Sequence, residues 1–198
     1  MTCARRFAAP AIFLALTSSA FAHTGVGDSS GFVHGFSHPV SGLDHVLAMV
    51  AVGLYAALLG GRGLWAVPAT FVAVMAIGGA LGIAGIGPSY AEIGIALSVI
   101  VLGLAVAFRI SLPPLAAMAL VGFFAIFHGY THGAEMPRDL SGYEYAAGFM
   151  LATALLHAAG IGLGLAAGRF AAQGGSRVAQ IAGGAMALAG VAILAGVA

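Results

Sequence analysis

The sequence predicts an all-α membrane protein, a compact bundle of six transmembrane helices behind a cleavable signal peptide. Three observations carry that prediction. Of the 198 residues, 61% are hydrophobic and 7% charged, whereas about a quarter of a water-soluble domain is charged, so lipid is this chain's main solvent. Six apolar stretches follow one another, each near the roughly 20 residues that an α-helix needs to cross a bilayer core of about 30 Å. The breaks between them fall where glycine, proline and charge coincide.

Residues 1–22 carry Arg5 and Arg6, an apolar run from Phe7 to Leu16 and the small-residue end Ala20-Phe21-Ala22, the layout of a secretory signal with an A-x-A cleavage site. The run is short for a span and Pro10 interrupts it. Cleavage leaves a mature chain starting at His23, outside the cytoplasm. Cys3, the only cysteine, goes with the signal, so neither a disulfide framework nor a thiolate metal site is expected.

The mature chain, 23–198, is read as one domain with spans at about 42–60, 64–86, 91–108, 112–132, 143–167 and 177–197. Glycine and arginine at 60–63 end the first, Gly87-Pro88-Ser89 the second, and Arg109 to Pro114 the third. Met136-Pro137-Arg138-Asp139 ends the fourth, and Gly168 to Arg177 the fifth. With an external start, the cytoplasmic loops hold Arg62, Arg109, Arg169 and Arg177, while the external loops hold only Arg138. This positive-inside bias agrees with the signal peptide and returns the C-terminus to the outside. Four-residue glycine spacings, Gly78/Gly82 and Gly160/Gly164/Gly168, allow close helix packing in lipid; gating hinges are their alternative role. A three-plus-three inverted repeat is compatible with a histidine/acid cluster in each of spans one and four.

Polar residues gather at one membrane face in this topology. His38, Asp44 and His45 lie at the outer start of span one, Glu92 at the outer start of span three, and His128, His132 and Glu135 at the outer exit of span four. His157 lies deeper, about 20 Å along span five. Residues at i, i+4 and i+7 of a helix stand at about 0°, 40° and −20°, so His128, His132 and Glu135 share a stripe if span four continues that far. His38 and His45 also stand seven apart, with Pro39 suited to a first helical turn and Gly42 to a close neighbour. Asp44, about 100° away from His45, either completes a site from the side or accepts a hydrogen bond that holds the His45 ring.

An ionised carboxylate near the membrane centre costs about 2.5–3.5 kcal/mol on the insertion scale. A divalent cation would compensate several at once. Imidazole with carboxylate and no thiolate suits Ni²⁺, Co²⁺ or Zn²⁺ better than copper(I), and the histidines disfavour Ca²⁺ and Mg²⁺. Taken singly, each residue has a plainer reading: an interhelical hydrogen bond for a histidine, hydration for an interfacial acid, a helix N-terminus for Glu92. His23 and His34, in the exposed segment before span one, are weaker candidates for metal capture. Phe71, Phe123, Phe124 and Phe127 read as packing or lipid contacts, with a hydrophobic gate as the alternative. A net charge of +1 with scattered arginines excludes a nucleic-acid surface.

The motifs H-P-x-S-G-x-D-H at 38–45 and F-H-G-x-x-H-G-x-E at 127–135, with A-T-A-L-L-H at 152–157, resemble the HupE/UreJ family of nickel/cobalt permeases over the whole chain. The resemblance implies that His38, Asp44, His45, His128, His132 and Glu135 form the two motif clusters and that Glu92 is the acid at the start of the third span. Thr131 stands where alanine is commoner. It further implies uptake of nickel, with cobalt as the alternative ion, in a bacterial inner membrane for hydrogenase or urease.

The expected function is therefore a secondary permease in which the outer cluster dehydrates the ion and passes it inward past His157. Its partners are a divalent ion and the bilayer; nothing in the sequence bears on oligomeric state. No Walker loop is present, so no ATP-driven step is expected. A rival reading, an intramembrane zinc hydrolase with Ser41 and Asp44 enlisted, is disfavoured because the clusters hold more ligands than a three-ligand catalytic site needs. A bis-histidine haem protein has no need of the adjacent acids.

Overall fold

A computed structural model describes residues 31–137, 141–170 and 174–197. The signal segment 1–22, His23 and the loop residues Arg138 and Asp139 lie outside the described residues. Among the described residues all regular structure is helical: α1 (Gly31–Ser41), α2 (Leu43–Leu59), α3 (Gly63–Ile83), α4 (Ala91–Ala107), α5 (Pro114–Ala134), α6 (Gly142–Arg169) and α7 (Gly175–Leu194).

Helices α2 to α7 occupy the six apolar stretches. By length and composition α3, α5, α6 and α7 can each cross a membrane; α1 and α2 together make a fifth, bent candidate, and α4 is a shorter apolar helix of 17 residues. The boundaries follow from backbone chemistry. Gly60 and Gly61 take φ of 63° and 49°, a left-handed turn that closes α2 and that glycine adopts without a Cβ penalty. Pro114 opens α5 in the first helical turn, where its missing N–H leaves no bond unmade.

Helix α1 departs from the sequence expectation. The stretch before span one was read as an exposed segment, with Pro39 beginning a helix that carries both His38 and His45. Instead Pro39 lies inside α1, and the chain bends by 82° between α1 and α2. The Ser41 hydroxyl donates to the His38 carbonyl at 2.7 Å near the end of α1, and α2 restarts with Val46 N–H donating to the Gly42 carbonyl. Gly42 has an ordinary extended backbone. Space is what it supplies: a Cβ there would stand 2.8 Å from Asp44 Oδ1 and 3.0 Å from His45 Nδ1.

Helix α2 is central and touches every other described helix. Its segment Ala48–Ala56, apart from Val50, is buried, as befits a helix apolar on all sides. Around it, α3 packs on α5, α4 on α7, and α6 against both α1 and α2. Glycine lies in each of these contacts. On α5, a Cβ at Gly129 would strike the Met75 carbonyl oxygen, and one at Gly133 the Gly79 carbonyl oxygen of α3. Gly53 meets Gly160 between α2 and α6, Gly35 meets the Tyr145 carbonyl between α1 and α6, and Gly103 meets Gly183 between α4 and α7. Of the spaced glycines, Gly78 and Gly82 face α5 and Gly160 and Gly164 face α2, but Gly168 has open space around it. Close approach of this kind replaces the hydrophobic drive that lipid removes.

Gly129→Ala and Gly133→Ala are therefore expected to separate α3 from α5 at a cost of about 1–3 kcal/mol, the usual range for overpacking. The lower melting temperature should be visible in detergent. Gly162→Ala, where a Cβ meets nothing within 4 Å, should leave it unchanged.

Candidate metal site

The two H-G steps of α5 explain how its histidines are aimed. Gly129 and Gly133 sit against α3, and the residue before each is rotated by about 100°. His128 and His132 are thereby turned away from α3 toward the bundle interior, where both are buried. The bend at Gly42 brings the first motif to them from two directions. The His38 ring, on α1, lies 4.7 Å from that of His132, edge to face, and the His45 ring, on α2, lies 4.2 Å from it. His45 also stands 5.4 Å from His128.

At the outer edge, His38 Nε2 is 3.7 Å from Glu135 Oε2, and these side chains are 34% and 55% exposed. Exposure on this side leaves the cluster open to an incoming ion. His38, His132 and Glu135 each offer one ligand atom, all within 4.8 Å of one another. That spacing is looser than in a closed tetrahedral site built on bonds of about 2.1 Å. Of the stripe expected on span four, this group holds His132 and Glu135, the latter as the C-cap residue of α5.

Hydrogen bonds decide which nitrogen two of the rings present. The Asp44 carboxylate accepts from the His45 backbone N–H at 2.9 Å and pairs with His45 Nδ1 at 2.8 Å. Of the two roles open to Asp44, the geometry matches the one that holds the His45 ring. His128 Nδ1 donates to the Phe124 carbonyl at 3.0 Å. In both rings the proton on Nδ1 leaves a lone pair on Nε2. His45 Nε2, His128 Nε2 and both ring nitrogens of His132 and His157 are buried with no hydrogen-bond partner. A buried polar atom left unpaired costs about 1–3 kcal/mol. Lone pairs with no donor facing them are suited to a cation.

Glu92, exposed at the start of α4, lies beside Thr131 and within electrostatic reach of Glu135, Asp44 and His45. His34 is exposed on α1, one turn before His38. His157 lies further along, and the Phe71 ring contacts both it and His128. The other phenylalanines do different work: Phe127 packs over Gly94 of α4, Phe124 supplies the carbonyl for His128, and Phe123 is largely exposed.

Sequence reasoning missed Tyr145 and Phe149. The Phe149 ring lies 4.2 Å from that of His132, and Tyr145 lies 6.1 Å from His38. With Thr153 and His157 they form a buried stripe at four-residue intervals along α6. That spacing was the available signal, because it places two aromatic residues at the level of the cluster on the helix that carries His157.

A family model described as HupE / UreJ protein matches residues 11–193. A protein of Rhizobium leguminosarum bv. viciae named Protein HupE is 51% identical over 183 residues, which cover 92% of this chain and 94% of that one. No solved structure matches.

At neutral pH, side-chain ¹⁵N spectra should show the Nδ1–H tautomer at His45 and His128. Asp44→Ala should shift the tautomer balance at His45 and leave His128 as it was; an unchanged His45 signal would contradict the role given to Asp44.

Proposed function

The chain belongs to the HupE/UreJ family, a family of nickel/cobalt uptake proteins, and from that premise we propose that it is a secondary transporter bringing Ni²⁺ through the bacterial inner membrane. Its several apolar helices make it a multi-pass membrane protein. In the proposed topology α2 to α7 cross the membrane, α1 lies before them, and the mature N-terminus and histidine cluster face the periplasm. The four arginines of the intervening loops support this orientation. Family membership makes the protein a transporter and not an enzyme, and the zinc-hydrolase alternative finds no support.

One observation carries the reading best: among the described residues, four buried ring nitrogens of His45, His128 and His132 without hydrogen-bond partners, gathered with carboxylates from α2 and the end of α5. Glu135 and His38, the more exposed pair, are the first ligands for an arriving ion. His132 lies within reach of both His38 and His45, so an ion can exchange one neighbour for the next without becoming bare. Conduction requires sites that are favourable to enter and weak enough to leave, and loosely spaced, overlapping ligands meet that requirement. Asp44 keeps the His45 lone pair aimed at the ion. His157 is the next imidazole inward, and Glu92 adds negative potential at the mouth.

Inward movement is electrically downhill, by about 2.3 kcal/mol per charge per 100 mV, roughly doubled for a dication. Ni²⁺ is the preferred cargo on family grounds, with Co²⁺ and Zn²⁺ sharing the same ligand chemistry. Metalloenzymes such as hydrogenase or urease are the proposed destination.

Cells producing the protein should accumulate ⁶³Ni²⁺ above control cells. His132→Ala and Asp44→Ala, inserted in the membrane at normal levels, should bring accumulation down to the control; accumulation unaffected by both would overturn the site. Excess Co²⁺ should compete with Ni²⁺. Mg²⁺ should not, since it favours oxygen ligands and keeps its water.

A further inference from the structure

Below the cluster one ring stands in the way inward. Phe71 on α3 is fully buried, and its ring centroid lies 5.3 Å from that of His128 on α5 and 5.1 Å from that of His157 on α6. Each imidazole in contact with the phenyl holds buried nitrogen without a partner among the described residues: Nε2 of His128, and both ring nitrogens of His157. A phenyl ring has no lone pair to offer a metal ion. An ion passing from His128 to His157 therefore has this apolar ring beside both ligands.

We propose that Phe71 is the gate of the transport path, an aromatic plug whose displacement lets a partly dehydrated dication pass from His128 to His157. The proposal rests on the transport reading above. Hydrophobic constrictions exclude water and hydrated ions by dewetting. Both imidazoles meet the phenyl at steep interplanar angles, 64° and 88°, and in the proposed gating the Phe71 side chain rotates about its Cα–Cβ bond to open the way from one to the other.

Room for that rotation lies beside Met75, one turn further along α3. Met75 accepts a hydrogen bond from Thr153 at 3.8 Å, and it lines an apolar pocket of about 450 Å³ between α3, α5 and α6 that also reaches His132. A methionine side chain is unbranched and repacks readily. Moved into the pocket, it frees the space that the phenyl needs. Once swung aside, the ring face offers weak cation–π attraction to the passing ion.

The test uses the full chain in proteoliposomes containing a fluorescent chelator, with Ni²⁺ and Mg²⁺ offered separately, and calorimetric Ni²⁺ affinity measured in parallel. Wild type is expected to admit Ni²⁺ and exclude Mg²⁺. Phe71→Ala should raise Ni²⁺ influx about tenfold and admit Mg²⁺, and Phe71→Trp should lower Ni²⁺ influx about tenfold, each with unchanged affinity. A merely structural role would lower influx in both variants and leave Mg²⁺ excluded. If Phe71→Ala fails to fold, Phe71→Leu is judged by the same criteria. Wild-type influx with a folded small-residue variant that matches it in rate and selectivity overturns the gate alone. Wild type that binds Ni²⁺ but admits none overturns the transport reading, and the gate with it.

Discussion

Where α5 meets α3, nothing but hydrogen stands on the α-carbons of Gly129 and Gly133 toward the Met75 and Gly79 carbonyls. This close backbone approach sets the rotation of α5 about its own axis, and with it the direction of His128 and His132. A side chain at either glycine would push α5 outward and turn both imidazoles with it. The same constraint recurs at Gly53 and Gly160, Gly35 and Gly148, and Gly103 and Gly183, so the scaffold is held by repeated contacts of one kind. In lipid such contacts draw on dispersion and weak Cα–H···O bonds, each small and together sufficient to fix a register.

On that scaffold the histidines form an apolar-walled group of hydrogen-bond acceptors with few donors. Asp44 and the Phe124 carbonyl accept hydrogen bonds from Nδ1 of His45 and His128, which leaves their Nε2 lone pairs free. The bend at Gly42 matters equally. Had α1 and α2 formed one continuous rod, His38 and His45 would lie about 10 Å apart along a single face. Bent by 82°, the chain brings both within ring contact of His132, and three helices share the cluster. In the proposed transport, overlapping ligand sets of this kind favour passage over storage.

Much of this was legible before any fold was known. Helix positions followed the apolar stretches because backbone N–H and C=O groups in lipid must be satisfied within each helix, so hydropathy alone locates α2 to α7. The meeting of the two motifs at one end followed from alternating helix direction. Unforeseen were α1, the bend after it, and the aromatic stripe of Tyr145 and Phe149. Pro39 and Gly42 were read as a helix start and a contact point, but the local signals for starting a helix and for breaking one are the same residues. Only the packing of Gly35 and Gly148 between α1 and α6 chooses between those readings.

Residue chemistry by itself thus determined the solvent, the helical class and the identity of the imidazole and carboxylate groups, since each depends on composition or on spacing within a few helical turns. Only the tertiary structure decided which nitrogen of His45 and of His128 is left free, that His38 and His45 approach His132 from different helices, and that Phe71 contacts both His128 and His157. Those are relations among helices far apart in the chain. They depend on rotation and tilt set by side-chain-free contacts at particular glycines, and the periodicity of one helix holds no information about how its neighbour is turned.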